Sequence, residues 1–312
     1  MNEQPTNRIV VTGAAGFIGS RLVRRLAEQA VLAVDVREPE TSTLDNGVVF
    51  RLGGVAEPAM LDDIRAWAPD TIVHLASVTD STIWDRDYML DRNVGDFDRV
   101  IELAERLGAR VVFASSAAVY GNGPVPMREA QEPNPHNPYA LSKLMMEQRA
   151  EQARQRGLSL LALRFFNVYG PGEAHKQRSA SMVFQIHRAL TQGEAVRVFR
   201  DGNQRRDFIH VDDVVDGIVK AIDSDVEGVL NLGSGSPTTF NQLVTVVAEA
   251  TGAPNQVAYL DEPTWEYQRE TWACTQLAEP RLGLRARPIH DGVRDFVAQL
   301  RREVVPDGTR HA

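Results

Sequence analysis

The stretch Gly13-Ala14-Ala15-Gly16-Phe17-Ile18-Gly19 follows directly on an apolar run at residues 8–12 and opens a segment of helical periodicity. In this position the first glycine permits a tight turn, the second lets the backbone approach a pyrophosphate, and the third lets the helix pack closely on the strand. The start of the helix would add backbone N–H donors and a partial positive charge. The stretch predicts a dinucleotide-binding turn whose cofactor contacts are Gly13, Gly16, Phe17, Ile18 and Gly19.

From this turn onward, short apolar runs alternate with longer segments of 3.6-residue periodicity. Several of the runs are apolar almost throughout, as expected when helices cover both faces of a parallel sheet. The alternation predicts an α/β fold with a doubly wound parallel sheet of the Rossmann type. The predicted strands span residues 8–12, 31–36, 48–52, 71–76, 110–115 and 158–164, and the predicted helices span residues 17–29, 59–67, 88–107 and 139–156.

The pattern of predicted helices and strands changes after about residue 170. Pro171, Gly172 and a charged loop lead into shorter helical segments at residues 180–191, 211–223, 240–251 and 292–301. We expect residues 1–170 to form the dinucleotide-binding domain, with later chain returning to it. Residues 171–312 are expected to form mainly a smaller C-terminal α+β lobe for the substrate.

Charge and composition narrow the class of protein. The 312 residues carry a formal net charge of −8, and the single cysteine, Cys274, excludes an internal disulfide. An acidic balance without clustered positive charge argues against a nucleic-acid partner. The polar N-terminus lacks the features of a signal peptide, and no apolar run approaches the roughly 20 residues of a membrane span. We expect a soluble, cytoplasmic protein without a membrane partner, and we identify no set of metal ligands.

Asp35 ends the second predicted strand, at the distance from the glycine turn where dinucleotide-binding folds carry an acidic residue. A carboxylate there can accept both ribose hydroxyls of an adenosine and repels a 2′-phosphate, which favours NAD over NADP. Arg37 and Arg51 are near enough in sequence to meet a phosphate, so NADP remains an alternative cofactor. Asp35 and Arg37 join the predicted cofactor contacts.

A serine, a tyrosine and a lysine form the predicted catalytic set. Ser116 lies at the end of the fifth strand, within Ser115-Ser116-Ala117-Ala118-Val119-Tyr120-Gly121, and Tyr139 and Lys143 share one face of the helix that begins behind Pro138. A nearby ammonium favours the phenolate form of a tyrosine. We expect Tyr139 to move the proton of a substrate hydroxyl while a hydride moves to or from the nicotinamide. Ser116 would bond the reacting oxygen. Tyr139 and Lys143 would also contact the cofactor, Lys143 at the nicotinamide ribose.

Together these motifs resemble the extended short-chain dehydrogenase/reductase family, whose members include nucleotide-sugar epimerases and dehydratases. The resemblance covers roughly residues 8 to 300 and extends to His74-Leu75-Ala76, Asn93, the segment at residues 164–171 and the segment at residues 205–213. It implies a nucleotide-diphosphate sugar as substrate, with its pyrophosphate bound by Asn167 and Arg206, although Arg206 could instead form a salt bridge with Asp207 or Asp212. It also implies cofactor contacts at Leu75, Ala76, Asn93 and Phe166.

Two positions bear on the adenine site and on the type of reaction. Leu52-Gly53-Gly54-Val55 departs from the acidic residue that the family usually carries near the adenine. Dehydratases of the family generally have an Asp-Glu pair after the catalytic serine, and decarboxylases a Glu, because those reactions need an extra acid. Ala117 and Ala118 can move no proton, so the resemblance favours epimerisation over dehydration.

Two loops are similar to those of the ADP-heptose 6-epimerase branch of the family. They are the loop at residues 79–89 and the segment Gly172-Glu173-Ala174-His175-Lys176 with the serines that follow it. By this resemblance Lys176 would act as a second acid/base group opposite Tyr139, or else be a solvated or phosphate-binding cation. The predicted substrate contacts are Ser81, Thr82, Ser116, Asn167, Lys176, Ser181 and Arg206.

Other functions remain open from the sequence alone. The segment at residues 120–123 and the loop at residues 134–138 fit a UDP-sugar 4-epimerase equally well. A plain NAD(P)-dependent carbonyl reductase is a third hypothesis. A non-catalytic dinucleotide sensor is disfavoured, because Tyr139 and Lys143 are both present. The helices at residues 88–107 and 139–156 could pair in a homodimer or higher homo-oligomer, as in relatives.

Overall fold

Seven parallel strands form one sheet in the computed structural model, which describes residues 7–39, 47–261 and 268–304. The strands in these ranges are β1 Arg8–Thr12, β2 Ala30–Asp35, β3 Val48–Leu52, β4 Thr71–His74, β5 Arg110–Ser116, β6 Leu160–Phe165, β7 Asn167–Tyr169, β8 Val196–Phe199, β9 Arg205–Arg206, β10 Phe208–His210, β11 Gly228–Leu232, β12 Thr238–Thr239 and β13 Val257–Leu260. The sheet has the order β11-β6-β5-β4-β1-β2-β3. All of its pairings are parallel, which confirms the doubly wound α/β prediction.

Helices cover both faces of this sheet. The helices of the described residues are α1 Phe17–Arg25, α2 Pro58–Trp67, α3 Arg86–Leu90, α4 Asp96–Leu107, α5 Pro138–Gln155, α6 Met182–Thr191, α7 Val211–Ile222, α8 Phe240–Thr251, α9 Ala278–Leu282 and α10 Ile289–Val304. Successive strand residues point to opposite faces. Val11 therefore packs with the apolar residues of α1 and α7, whereas Val10 packs with those of α2, α4 and α5. Burial on both faces explains why the strands are apolar almost throughout.

The position of β1 determines where a ligand can enter. The chain runs from β1 outward to β2 and β3 on one side, and then returns to β4 and β5 on the other. Such a reversal leaves a crevice at the carboxyl ends of the strands. The glycine turn after β1, the segment after β4 and the segment after β5 all lie at this edge.

The prediction of one continuous helix over residues 88–107 is wrong at one turn. Between α3 and α4, Asp91–Gly95 forms a π-helical turn that contains the buried Asn93. A π turn holds one more residue than an α turn and so shifts the phase of every following side chain. Apolar periodicity does not reveal it, because the pattern on either side remains helical.

The chain after β7 forms a second hydrophobic core, and one part of it returns to the seven-stranded sheet. Helices α6, α8 and α10 enclose this core together with β8 and β10. Pairs of short strands, β10 with β7 and β13 with β8, run beside it. In contrast, α7 packs on the seven-stranded sheet, and β11 belongs to that sheet as the strand beside β6. Among the described residues, no helix combines the length and the apolar character that crossing a bilayer requires.

Candidate active site

The glycine turn has the geometry of a phosphate cradle. Gly13 has φ +72°, and a side chain there would press on the backbone of Ala76, 2.7 Å from its nitrogen. A Cβ at Gly19 would collide with the carbonyl oxygen of Gly13. No side chain of the described residues caps the start of α1, which Gly16 precedes, and its first turn holds no acidic residue. The first N–H groups of α1, at Phe17 and Ile18, can therefore meet an anion.

Asp35 lies beside this cradle at the end of β2. Its two carboxylate oxygens accept the backbone N–H groups of Ala15 and Arg37, each at 2.9 Å. The Arg37 guanidinium stands 3.8 Å from the same carboxylate, at the edge of the cradle. Arg51, the other candidate phosphate ligand, is bound instead to Asp63 at 3.1 Å. The structure thus leaves one carboxylate and one guanidinium where the adenosine ribose would lie.

Leu75 and Ala76 face the glycine turn from across the crevice. The backbone N–H of Leu75 donates to the carbonyl of Thr12, and that of Ala76 donates to the Thr12 hydroxyl at 3.3 Å. The same hydroxyl contacts Nδ1 of the buried His74 at 2.9 Å. Burial, with the charge of Lys143, lowers the pKa of His74 to about 3, so this imidazole is neutral.

Tyr139 and Ser116 meet at the carboxyl edge of the sheet. Asn137 caps α5 through Ala140 N–H at 2.8 Å, and Pro138 occupies the first helical position, so Tyr139 projects from the first turn. Ser116 ends β5 and accepts the N–H of Ala118 at 3.1 Å. Burial raises the pKa of the Tyr139 phenol, and a hydrogen bond with Ser116 opposes that rise. The prediction that these two hydroxyls act on one oxygen agrees with this geometry.

Lys143 lies one helical turn below Tyr139 and is 1% exposed. Its ammonium donates to the Ser77 hydroxyl at 2.8 Å and to the Ala114 carbonyl at 2.9 Å. It also lies 5.8 Å from the centre of the Tyr139 ring. Burial lowers the pKa of Lys143 to about 7, although the charge of Glu147 opposes the fall. The cation stands where it can stabilise a phenolate.

Glu147, one turn further along α5, is a residue that the sequence analysis missed. Its carboxylate is buried, accepts the Ser115 hydroxyl at 2.5 Å and forms a bidentate pair with Arg164 at 2.8 and 2.6 Å. These contacts clamp α5 onto β5 and β6 below the catalytic residues. The spacing of Tyr139, Lys143 and Glu147, four residues each, was the signal that could have identified it.

Asn93 was predicted to contact the cofactor, but its amide is engaged with the protein. Its Oδ1 accepts the N–H of Val78, and its Nδ2 donates to the Val78 carbonyl and to the Ser142 hydroxyl. The π turn delivers the side chain to this position. Asn93 therefore joins the segment after β4 to α5 and supports the site through its neighbours.

Lys176 lies over the aromatic ring of Phe17, with its ammonium 4.1 Å from the ring centre. This contact brings the 170–181 loop against the start of α1, on the cofactor side of the crevice. Burial lowers the pKa of Lys176, and the carboxylate of Glu173 opposes the change. Ser181, a predicted substrate contact, is bound within the protein. Its hydroxyl donates to Glu173 and accepts the N–H of Phe184, as the cap of α6.

The predicted pyrophosphate contacts lie together across the crevice. Asn167 donates to the Asp207 carbonyl at 3.0 Å and to the Thr271 hydroxyl at 2.8 Å. The Arg206 guanidinium donates to the carbonyls of Gln268 and Arg269 and lies 5.7 Å from the ring centre of Phe240. The carboxylates of Asp207 and Asp212, the alternative partners considered for Arg206, accept bonds from Ser234 and from Arg21, respectively.

Phe166 and Thr82, two further predicted ligand contacts, have partners within the protein, and Ser81 is exposed beside Thr82. The N–H of Phe166 donates to the Leu232 carbonyl, and its ring packs in the cluster that contains Tyr120 and Ala273. Ser81 and Thr82 belong to an exposed turn, in which the Thr82 hydroxyl bonds Asp80 at 2.6 Å.

Gln268 is a second connection that the sequence analysis missed. Its amide donates to the carbonyls of Ala117 and Gly121, on the turn after Ser116. Because the 268–269 backbone also binds Arg206, this segment joins the catalytic turn to the predicted pyrophosphate site. No motif marked it, since its contacts are more than 140 residues away in sequence.

The residues at the crevice suit a nicotinamide dinucleotide. The uncapped helix start fits the pyrophosphate, Asp35 offers a ribose acceptor, and Lys143 reaches the carboxyl edge of the sheet. Across the described ranges no cluster of three or more His, Cys, Asp or Glu side chains is arranged to hold a metal ion.

Comparisons with known proteins agree with this architecture. A model of the NAD dependent epimerase/dehydratase family matches residues 9–233. ADP-L-glycero-D-manno-heptose-6-epimerase of Nitratidesulfovibrio vulgaris (strain DP4) is 32% identical over 93% of this chain and 97% of that protein. UDP-glucose 4-epimerase of Thermotoga maritima, solved with UDP-glucose, has a TM-score of 0.88 at 28% identity over 96% of this chain and 100% of its own. MoeE5 in complex with UDP-glucuronic acid and NAD has a TM-score of 0.84 at 35% identity over 95% and 99%.

Proposed function

The chain belongs to the NAD dependent epimerase/dehydratase family, and from that premise we propose that it is a nucleotide-sugar epimerase. It would oxidise one carbinol carbon of a nucleotide-linked sugar to a ketone and reduce it again from the opposite face. The observation that carries the proposal is the meeting of Tyr139 with Ser116, one helical turn above the buried ammonium of Lys143.

The chemistry follows from these contacts. A sugar hydroxyl between Ser116 and Tyr139 gives its proton to the Tyr139 phenolate, which the Lys143 ammonium stabilises. The bound dinucleotide supplies the acceptor and, later, the donor of the hydride. After the ketone has turned its other face to the cofactor, Lys176 gives a proton to the oxygen. Exchange with water then removes the proton from Tyr139 and restores the one on Lys176, so the protons balance.

Elimination is disfavoured by the turn after Ser116. Ala117 and Ala118 lie there in a short 3-10 turn, and neither methyl group can accept or donate a proton. Loss of water from a sugar needs an acid for the leaving hydroxyl in addition to the Tyr139 pair. Epimerisation expels no hydroxyl, so it needs no acid on the turn after Ser116, which supports it over dehydration.

We propose an NDP-heptose as the leading substrate and a UDP-hexose as the second candidate. The 79–89 loop and the Lys176 segment, together with the heptose 6-epimerase relative, support the first. The likeness to MoeE5 and to the UDP-glucose 4-epimerase supports the second. In either case Arg206 would bind the pyrophosphate, because a planar guanidinium pairs well with phosphate oxygens. Asn167 would join it by exchanging its bonds to the Asp207 carbonyl and the Thr271 hydroxyl for bonds to the phosphate.

The cofactor, the lobes and the assembly complete the proposal. We favour NAD over NADP because Asp35 is held rigidly at the ribose position. Residues 1–170 would bind it, and residues 171–312 would mainly bind the sugar nucleotide. A homodimer through α4 and α5, and a cytoplasmic location, belong to the same proposal.

Incubation with ADP-heptose, UDP-glucose and UDP-glucuronic acid in deuterated water tests this function. We expect one of them to be epimerised without uptake of solvent deuterium at the inverted carbon, because the hydride is carried internally. Failure to interconvert any of them would contradict the proposal. Replacing Arg206 by Ala separates it from a plain carbonyl reductase, since only the epimerase should lose affinity for the sugar nucleotide. The matched control is Arg197→Ala, on exposed β8 surface.

A further inference from the structure

One buried carboxylate closes the loop that carries Lys176. Glu173 is 1% exposed. Its Oε1 accepts the N–H of Gly170 at 3.2 Å and the hydroxyl of Ser181 at 2.7 Å, and its Oε2 accepts the N–H of Ser181 at 2.5 Å. A single side chain thus joins the residue where the loop leaves β7 to the residue where it enters α6.

Lys176 lies inside this closed loop and is fixed from two sides. On one side its backbone N–H donates to the Glu173 carbonyl at 3.0 Å, within a 3-10 turn over Ala174–Ser179. On the other side its ammonium lies over the Phe17 ring at 4.1 Å. A cation over an aromatic face is attracted by the ring quadrupole, and more strongly where water is excluded. The loop therefore holds the backbone of Lys176, and helix α1 holds its side chain.

Closing the loop does not by itself require a charged side chain at Glu173. Burial of a carboxylate is unfavourable unless hydrogen bonds or an opposite charge compensate for it. Burial raises the pKa of Glu173, whereas the bonds from Ser181 and Gly170 and the nearby Lys176 lower it. An amide in the same place could keep part of the bonding, but it could not act on the ammonium of Lys176.

We infer that Glu173 is a positioning residue that holds Lys176 at the reacting sugar and maintains its charge. This inference rests on the proposed role of Lys176 as the second proton carrier. Glu173 itself would touch neither substrate nor cofactor. Its carboxylate would set the place from which Lys176 delivers a proton, and a displacement of about 1 Å at such a group can reduce a rate by about 100-fold.

Glu173→Gln tests the inference, because it retains the size of the side chain and removes the charge. We expect kcat for epimerisation to fall about tenfold or more, with KM and calorimetric affinity for the sugar nucleotide little changed. The first half of the reaction, the oxidation of the sugar, should still proceed. Addition of substrate should therefore change the near-ultraviolet absorbance of the bound cofactor, and this change should persist. Adding Glu173→Gln to Lys176→Met should slow the enzyme no further than Lys176→Met alone, since one residue acts through the other.

Asp213→Asn is the matched control. Asp213 is also a buried carboxylate after β7, but it pairs with Arg287. Its loss should lower the melting temperature without producing the persistent absorbance. If Glu173→Gln does not fold, Ser181→Ala carries the test, because it removes the hydroxyl bond to Glu173 Oε1 and keeps the backbone bond to Oε2. It should reproduce the split between kcat and KM.

The outcomes separate the inference from the function on which it rests. A wild-type protein that interconverts no sugar nucleotide overturns the proposed function. A fully active Lys176→Met variant overturns the role of Lys176, and the inference with it. If Lys176→Met is slow but Glu173→Gln keeps the wild-type kcat, the inference alone is wrong. The inference alone is also wrong if Glu173→Gln lowers kcat by the same factor in the Lys176→Met background as in the wild type.

Discussion

The ammonium of Lys143 donates a hydrogen bond to the hydroxyl of Ser77 at 2.8 Å, across the crevice between the segment after β4 and helix α5. Lys143 is otherwise surrounded by protein, with the Ala114 carbonyl as its second acceptor. A buried ammonium is stable only where oxygen atoms compensate for the lost water. Ser77 therefore helps to keep positive the charge that Tyr139 needs.

Ser77→Ala should lower kcat about tenfold, the effect of losing about 1.4 kcal/mol of stabilisation. The pKa of Lys143, which is about 7, should fall further, because a dipole that favours the ammonium is lost. Since activity requires the cation, the decline of kcat with rising pH should begin at lower pH. The charged and titratable groups acting on Lys143 are Tyr139, Glu147 and His74. Measurements of kcat at a series of pH values, for the variant and the wild type, test this shift.

Ser159→Ala provides the comparison for that experiment. The Ser159 hydroxyl also bonds a cation, Arg110, at 2.6 Å, but on the opposite edge of the sheet. It should leave the pH profile unchanged. Identical profiles for Ser77→Ala and the wild type would show that Lys143 does not depend on Ser77.

Tyr139→Phe should lower kcat by about 100-fold or more, because it removes the group that takes the sugar proton. Affinity for the dinucleotide and the melting temperature should remain near those of the wild type, since the phenyl ring keeps its packing. Tyr259→Phe, which removes an exposed hydroxyl that bonds Asn241, should change neither. A Tyr139→Phe variant with wild-type turnover would be incompatible with the proposed chemistry.

The fold, and the grouping of Ser116, Tyr139 and Lys143 at one end of the sheet, could be predicted because local pattern determines them. The glycine turn has to stand between a strand and a helix, and the four-residue spacing of Tyr139 and Lys143 places both on one helical face. The apolar strands reveal burial on both faces, and β1 is recognisable as the strand before the turn. Each of these features is set within a few residues.

The supporting contacts could not be predicted, because they join distant parts of the chain. Glu147 pairs with Arg164 on another element, and Gln268 reaches the turn after Ser116 from a segment far along the chain. Asn93 was assigned to the cofactor from its motif alone, whereas the π turn directs it to Val78. Ser181 was assigned to the substrate, whereas the structure joins it to Glu173. Polar side chains of this kind look the same in sequence whether they bind ligand or protein.

His74 should make the protein less stable in acid. Its pKa is about 3 in the folded state, below the ordinary value of 6.5, because burial and Lys143 disfavour the imidazolium. Between these two pH values the unfolded chain binds the proton and the folded chain does not. Stability from this group is therefore complete above pH 6.5 and is lost as the pH falls toward 3, by about 2 kcal/mol between pH 6.5 and 5 at about 1.4 kcal/mol per unit.

Urea unfolding at several pH values measures this dependence. His74→Gln should reduce the slope of the unfolding free energy over that range, because the new side chain does not titrate. His290→Gln, at an exposed position, should leave the slope as it is in the wild type. If the slope of His74→Gln equals that of the wild type, another group causes the acid sensitivity.

Asp35 and Arg37 should determine the choice between NAD and NADP. Asp35→Asn keeps the size of the side chain and one of the two bonds from the N–H groups of Ala15 and Arg37, and it removes the charge that repels a 2′-phosphate. We expect the ratio of NADP to NAD affinity to rise about tenfold or more, as measured by calorimetry with the two dinucleotides. Adding Arg37→Ala should cancel the gain, because the guanidinium beside the carboxylate is the group that would bind the phosphate. Arg51→Ala should alter neither affinity, since Arg51 is bound to Asp63. A wild-type protein that already prefers NADP would reverse the assignment and make Arg37 the dominant residue.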